Sequence, residues 1–219
     1  MYGFWLKLLA MASMLVDHTG MVLFPQMQGL RLIGRLAFPL YCFLMAEGAA
    51  HTSNIKRYLG RLLVFAMLSE IPYDLACRNT IFYPQAQNVF FTLFLGLLAC
   101  AVLKQYGRQK PLFGLAGVAC TALLAQILRT DYGAFGVLLI VAFFVCRSFP
   151  DRGALLLIIL NTGFSLLNHM TLQLTAPLAA VPILIYNGQR GKSVNKLLFY
   201  LFYPAHLLSL YLIHLWIVR

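Results

Sequence analysis

Charge is what this sequence has least of. Only 11% of its 219 residues are charged, and just six are acidic against seventeen Lys and Arg. Hydrophobic residues make up 61% of the chain, and the mean hydropathy is +0.80. A soluble domain of this size cannot hide that much apolar surface, so the composition excludes the ordinary globular classes and points to a polytopic membrane protein. Cysteines are too few and too scattered to serve as a framework. Residues 42, 77, 100, 120 and 146 are odd in number and mostly inside apolar runs, where they read as small packing residues. No Walker or dinucleotide loop is present, no internal repeat and no low-complexity linker. One domain, residues 1–219, is the simplest organisation. No basic start leads to a small-residue cleavage site, so the first apolar segment reads as a retained helix.

A bilayer crossing takes about 20 apolar residues, which leaves room for roughly nine helices. They fall at 4–24, 30–50, 55–76, 89–103, 112–128, 133–146, 154–167, 172–186 and 197–218. The fold class expected is all-α, an integral membrane bundle of roughly nine spans. The net charge of +11 would suit nucleic acid, but Lys and Arg gather in cytoplasmic loops of membrane proteins, and no nucleic-acid partner is expected. With nine alternating spans, the N-terminal side holds Lys56, Arg57, Lys104, Arg108, Lys110, Arg147, Arg152, Arg190, Lys192 and Lys196. The opposite side holds Arg31, Arg78, Arg129 and Arg219. That bias predicts a cytoplasmic N-terminus.

Against this apolar background the charges inside the spans stand out. An ionisable side chain within a span costs at least ~2.5 kcal/mol, and Asp17 and His18 lie side by side in the first. Their side chains diverge by about 100° around the helix. Arg31 and Arg35 are one turn apart in the second span, with Arg35 at the depth of Asp17, so an Asp17–Arg35 ion pair is expected. Glu70 and Asp74 are one turn apart in the third, on either side of Pro72, which is expected to kink the helix and free a carbonyl. Either acid is a candidate to orient the His18 imidazole. His18 itself suits a general base or acyl-accepting nucleophile, since imidazole titrates near neutrality. The last span carries Tyr203 and His206. No two His share an i,i+4 pair at common depth, so no metal is expected, although a cross-helix His18–His206 pair stays open. A polar path of this kind marks either trans-bilayer chemistry or an ion- or proton-coupled transporter.

The order of motifs narrows the choice. Lys7…Asp17-His18-Thr-Gly20, Arg31…Gly34-Arg35-Leu-Ala-Phe-Pro39, Glu47-Gly48, His51-Thr52, Lys56-Arg57-Tyr-Leu, Ser69-Glu-Ile-Pro-Tyr-Asp74, Asn88-Val-Phe-Phe-Thr92, Asp131-Tyr-Gly133, Tyr186-Asn-Gly188 and Phe202-Tyr-Pro-Ala-His206 strongly resemble the TraX family over nearly the whole chain. That family is known for acetylating the amino terminus of a conjugative pilin subunit, and it resembles the transmembrane acyltransferases that use acyl-CoA. In those, a basic residue separated by ten intervening residues from a first-helix His recurs, a spacing that Lys7 and His18 fit. The resemblance implies a multi-pass protein of the bacterial inner membrane that moves an acetyl group from cytosolic acetyl-CoA to an amine or hydroxyl of a pilin-like peptide, glycan or small molecule. It implies that His18 is catalytic, with Asp17 and Arg35 beside it and Lys7 and Arg35 helping with donor or transition-state charge. The remaining candidates to hold substrate or donor are Glu70, Asp74, Tyr203 and His206. Acetyl-CoA carries several phosphates, and the basic rim of Lys7, Arg57, Arg61, Arg190, Lys192 and Lys196 suits them.

Overall fold

The computed structural model describes residues 1–192 and 195–218 and is all-helical among them. Arg219 and the side chain of Lys196 lie outside the described residues. The helices are α1 (Gly3–Val22), α2 (Gln28–Gly34), α3 (Ala37–His51), α4 (Ile55–Arg78), α5 (Val89–Tyr106), α6 (Pro111–Ile127), α7 (Gly133–Val145) and α8 (Pro150–Leu167). A 3-10 helix (Thr171–Ala179), α9 (Ala180–Leu184) and α10 (Lys196–Val218) complete the chain. Three stretches are long and apolar enough to cross a membrane: Gln28–His51, Val89–Tyr106 and Leu197–Val218. The others are shorter or less apolar along their length. α7, with 13 residues, rises only ~20 Å against a hydrocarbon core of ~30 Å.

Local chemistry accounts for several boundaries. Asn54 and Asn88 cap α4 and α5 by accepting from the backbone N–H of Arg57 and Phe90. Asn79 ends α4 in the left-handed conformation, φ 55°. Two expected spans are broken. Residues 30–50 split at Arg35–Leu36 because Pro39 has no N–H to give the Arg35 carbonyl and its ring crowds that carbonyl. Leu36 N–H turns to Ile33 O instead, and the Thr175 hydroxyl sits 2.9 Å from the Leu32 oxygen. Residues 172–186 form a 3-10 turn run and a short α9, since Pro177 and Pro182 remove two donors five residues apart. Asn161 and Gln173, both buried, hold this run to α8 by reciprocal hydrogen bonds of 2.8 and 3.0 Å. By contrast α4 continues through Pro72, so the acid-bearing turn stays helical.

The helix ends sort to two sides. Gly3 and Phe4 N–H donate to Gln189 and Arg190 carbonyls, Tyr186 reaches Glu47, and Lys104 Nζ donates to the Ala49 and Ala50 carbonyls at the end of α3. At the other side Gln87 N–H donates to Arg129 O, and Tyr211 donates to Asn79. Lys56, Arg57, Lys104, Arg190 and Lys192 therefore share one end, the basic end, with the N-terminus. Arg31, Arg78 and Arg129 mark the other.

Candidate functional site

The site is built where the last turns of α1 meet the break between α2 and α3. Gly34 packs directly on the Asp17 side chain; a Cβ there would overlap it. This close approach lets both arginines of the broken span reach one carboxylate. Arg35 Nη2 donates to both Asp17 oxygens at 2.6 Å, and Arg31 Nη1 donates to Oδ2 at 2.8 Å and to the Asp17 carbonyl at 3.1 Å. The expected Asp17–Arg35 pair is present. Arg31 is a second partner, so the cluster keeps a net positive charge.

His18, on the next position of α1, faces α10. Its Nδ1 lies 2.6 Å from His206 Nε2, and His206 Nδ1 lies 2.6 Å from the Phe202 carbonyl oxygen. A carbonyl only accepts, so His206 carries its proton on Nδ1 and presents a lone pair at Nε2. That lone pair accepts a hydrogen bond from His18 Nδ1–H. His18 Nε2 is then left with a free lone pair. The two rings are parallel within 6° with centroids 4.9 Å apart, which is edge-to-edge alignment for an in-plane bond. Tyr203 flanks His18 edge-on at 5.9 Å, and Phe202 stacks on His206 at 4.7 Å, fixing the second ring. In this arrangement the two nitrogens, 2.6 Å apart, stand closer than two nitrogens each ~2.0–2.1 Å from one zinc would. Among the described residues, no three His, Cys, Asp or Glu side chains gather as a metal group.

Glu70 and Asp74 do not orient His18. Glu70 Oε1 accepts from the backbone N–H and side-chain amide of Asn88, whose amide also donates to Ala66 O. Asp74 Oδ2 accepts from Tyr83 N–H at 2.7 Å. Both acids tie down the connection from α4 to α5, whose backbone donors would otherwise be unsatisfied. His206 holds the place expected for them.

A cavity of about 370 Å³ opens beside His18, lined also by Asp17, Arg31, Arg35, Arg78 and Asp131, with Tyr41, Tyr73, Tyr132 and Tyr203 around them. Asp131 and Tyr132 are residues that sequence reasoning named only within the Asp-Tyr-Gly motif and did not place in the site. Their signal was the Asp-Tyr-Gly motif itself. Asp131 sits in the connection between α6 and α7, outside the spans, and lines the cavity with part of its surface still exposed. Burial pushes its carboxyl up to about 6, against the pull of the Arg35 guanidinium. A carboxyl whose folded value is raised binds protons more tightly when folded, so its contribution to stability falls as pH climbs from 3.8 through about 6. Asp131→Asn is expected to flatten that part of the curve of melting temperature against pH in detergent. An unchanged wild-type slope over this window would contradict it.

The expected donor residues lie apart from the cavity. Lys7 Nζ rests over the Phe199 ring at 5.2 Å and Arg61 over Tyr58 at 5.6 Å, while the Arg61 Nε is buried with no hydrogen-bond partner. Arg57, Arg190 and Lys192 are exposed at the same basic end. Between Arg61 and His18 stand the rings of Phe65, Tyr200, Phe90 and Tyr203, in contact one to the next at 5.1, 6.2 and 5.2 Å.

Comparison with known proteins agrees with the motif order. The family model described as TraX protein matches residues 3–214. A probable fimbrial assembly protein FimC, serogroup H1, of Dichelobacter nodosus is 30% identical, over 94% of this chain and 92% of its own length. An uncharacterized protein of Rickettsia prowazekii is 26% identical over 65% of this chain and 54% of its length. No solved structure matches.

Proposed function

The chain belongs to the TraX family, and we propose that it is an integral membrane acetyltransferase, with acetyl-CoA as donor and His18 as general base. The observation that carries this reading is the free lone pair on His18 Nε2, fixed by the relay through His206 to the Phe202 carbonyl and placed in a cavity. As the acceptor amine or hydroxyl attacks the thioester carbon, Nε2 takes its proton. The carbon–sulfur bond breaks, and the CoA sulfur leaves with the proton that Nε2 then returns. His206 steadies the imidazolium by accepting from Nδ1–H. The arginines that share Asp17 leave net positive charge near the developing oxyanion. A proton-coupled transporter would use similar groups, but this relay ends on a carbonyl that has no proton to pass on. The fimbrial name of the Dichelobacter relative supports a pilin-like acceptor terminus. The test is release of CoA thiol from labelled acetyl-CoA by the purified protein; no turnover with any amine or hydroxyl acceptor counts against the enzyme.

The basic end is, in this reading, cytoplasmic, in a multi-pass protein of the inner membrane with nine crossings. Acetyl-CoA meets it there, phosphates on Lys7, Arg57 and Arg61, with Arg190 and Lys192 at the rim. The orphaned Nε of Arg61 supports an anion partner. The pantetheine arm then runs along α10, displacing the rings of Tyr200 and Tyr203. Arg61→Ala is expected to raise the KM for acetyl-CoA more than that for the acceptor, and high salt to act alike. An unchanged acetyl-CoA dependence in both Arg61→Ala and Lys7→Ala would remove this docking.

A further inference from the structure

A second cavity of about 360 Å³ lies at the end opposite the basic one. It is bounded by the last turns of α1 and α4 and by Tyr211 and His214 of α10. Met21, Cys77 and Arg78 line both this cavity and the one holding His18, so these three side chains form the wall between them. The wall is a soft one. Cys77 Sγ and Met21 Sδ touch at 3.9 Å, a weak contact of an unbranched, readily rearranged thioether.

The charge lining the second cavity is one-sided, and Asp131 lies only on the His18 side of the wall. Asp17 is spent on Arg31 and Arg35, and Asp74 gives one oxygen to Tyr83 N–H. Arg78 is exposed, lies over the Tyr83 ring at 5.2 Å, and makes no ion pair among the described residues. No acid lines the second cavity. An arginine in this setting presents a planar fork to any carboxylate or phosphate that enters.

We propose that the second cavity is the acceptor's way in, and that the acceptor carries an oxyanion, carboxylate or phosphate, which Arg78 holds. The group to be acylated passes Met21 and Cys77 toward His18. Calling the entrant an acceptor rests on the acyltransferase reading; the path and its preference for anions do not.

Cys77 is the built-in reporter. In wild-type protein reconstituted in phosphatidylcholine nanodiscs, its modification is followed by peptide mass spectrometry with two methanethiosulfonates of similar size, the anionic sulfonatoethyl and the cationic trimethylammonioethyl reagents. The anionic reagent is expected to react severalfold faster, and Arg78→Gln to remove that preference. Equal rates in the wild type, a preference unaltered by Arg78→Gln, or modification no faster than that of the buried Cys42 overturns the path. Protection by added inorganic phosphate assigns the site to a soluble oxyanion, and protection by phosphatidylglycerol in the nanodisc assigns it to a lipid headgroup. Protection by neither overturns the oxyanion part. His18→Ala should label as the wild type does. Labelling as expected without acetyl transfer therefore removes the enzyme reading alone, and transfer without charge-selective labelling removes this path alone.

Discussion

His18→Ala is expected to abolish acyl transfer while the protein expresses and melts close to wild type. The loss follows from the relay: removing the imidazole removes the base that the hydrogen bonds to His206 and Phe202 hold beside the cavity. General-base catalysis is worth roughly 10²–10⁴-fold, so the residual rate falls toward background. Stability changes little, because the ring is only part-buried and borders an existing cavity. One hydrogen bond is lost, worth about 1 kcal/mol. His206 is a positioning residue, and its variants separate that role from mere packing. His206→Phe keeps the bulk and loses the acceptor, so the rate drops with KM for acetyl-CoA little altered. His206→Gln restores a carbonyl that can accept from His18 Nδ1–H, and part of the rate should return. A His18→Ala protein that still transfers acetyl groups would end the assignment, and equal rates for His206→Phe and wild type would end the relay.

Much of the fold could be read from residues that act locally. Asn54 and Asn88 cap helices by bonds to N–H groups two or three positions on, and the proline pair 177 and 182 announces irregular backbone. The break at Arg35 was less legible. Pro39 was visible, but whether a helix bends or splits at proline depends on what satisfies the freed carbonyls, here Thr175 from a segment over a hundred residues later. In the candidate site, the Asp17–Arg35 pair could be inferred because adjacent spans at matching depth leave few partners. The His18–His206 bond spans 188 positions. Periodicity says which face a residue occupies and not which helix it meets. Glu70 and Asp74 misled for the same reason: their i,i+4 spacing is plain, whereas the demand of Asn88 and Tyr83 N–H groups for acceptors appears only once the loop folds back.

Replacing Asp17 costs more than replacing either arginine it binds. Asp17→Asn leaves two guanidinium groups, Arg31 and Arg35, facing each other without their shared carboxylate. Breaking a buried pair by removing one partner typically costs ~3–5 kcal/mol, because the stranded charge stays out of water. Arg35→Gln leaves Asp17 still bonded to Arg31 at 2.8 Å, so its cost lies well below that range. The asymmetry is the signature of a carboxylate shared by two cations; a simple pair would lose about the same from either side. The double variant Asp17→Asn/Arg35→Gln removes one of the two repelling charges, so its loss falls short of the sum by roughly 0.5–3 kcal/mol. Arg31→Gln in place of Arg35→Gln should give a coupling of the same sign and smaller size, since its single carboxylate contact is longer. Chemical denaturation in detergent micelles measures all of these. Equal costs for Asp17→Asn and Arg35→Gln, or simple additivity in the double variant, would mean that the cluster does not act as one unit in holding α1 against the broken span.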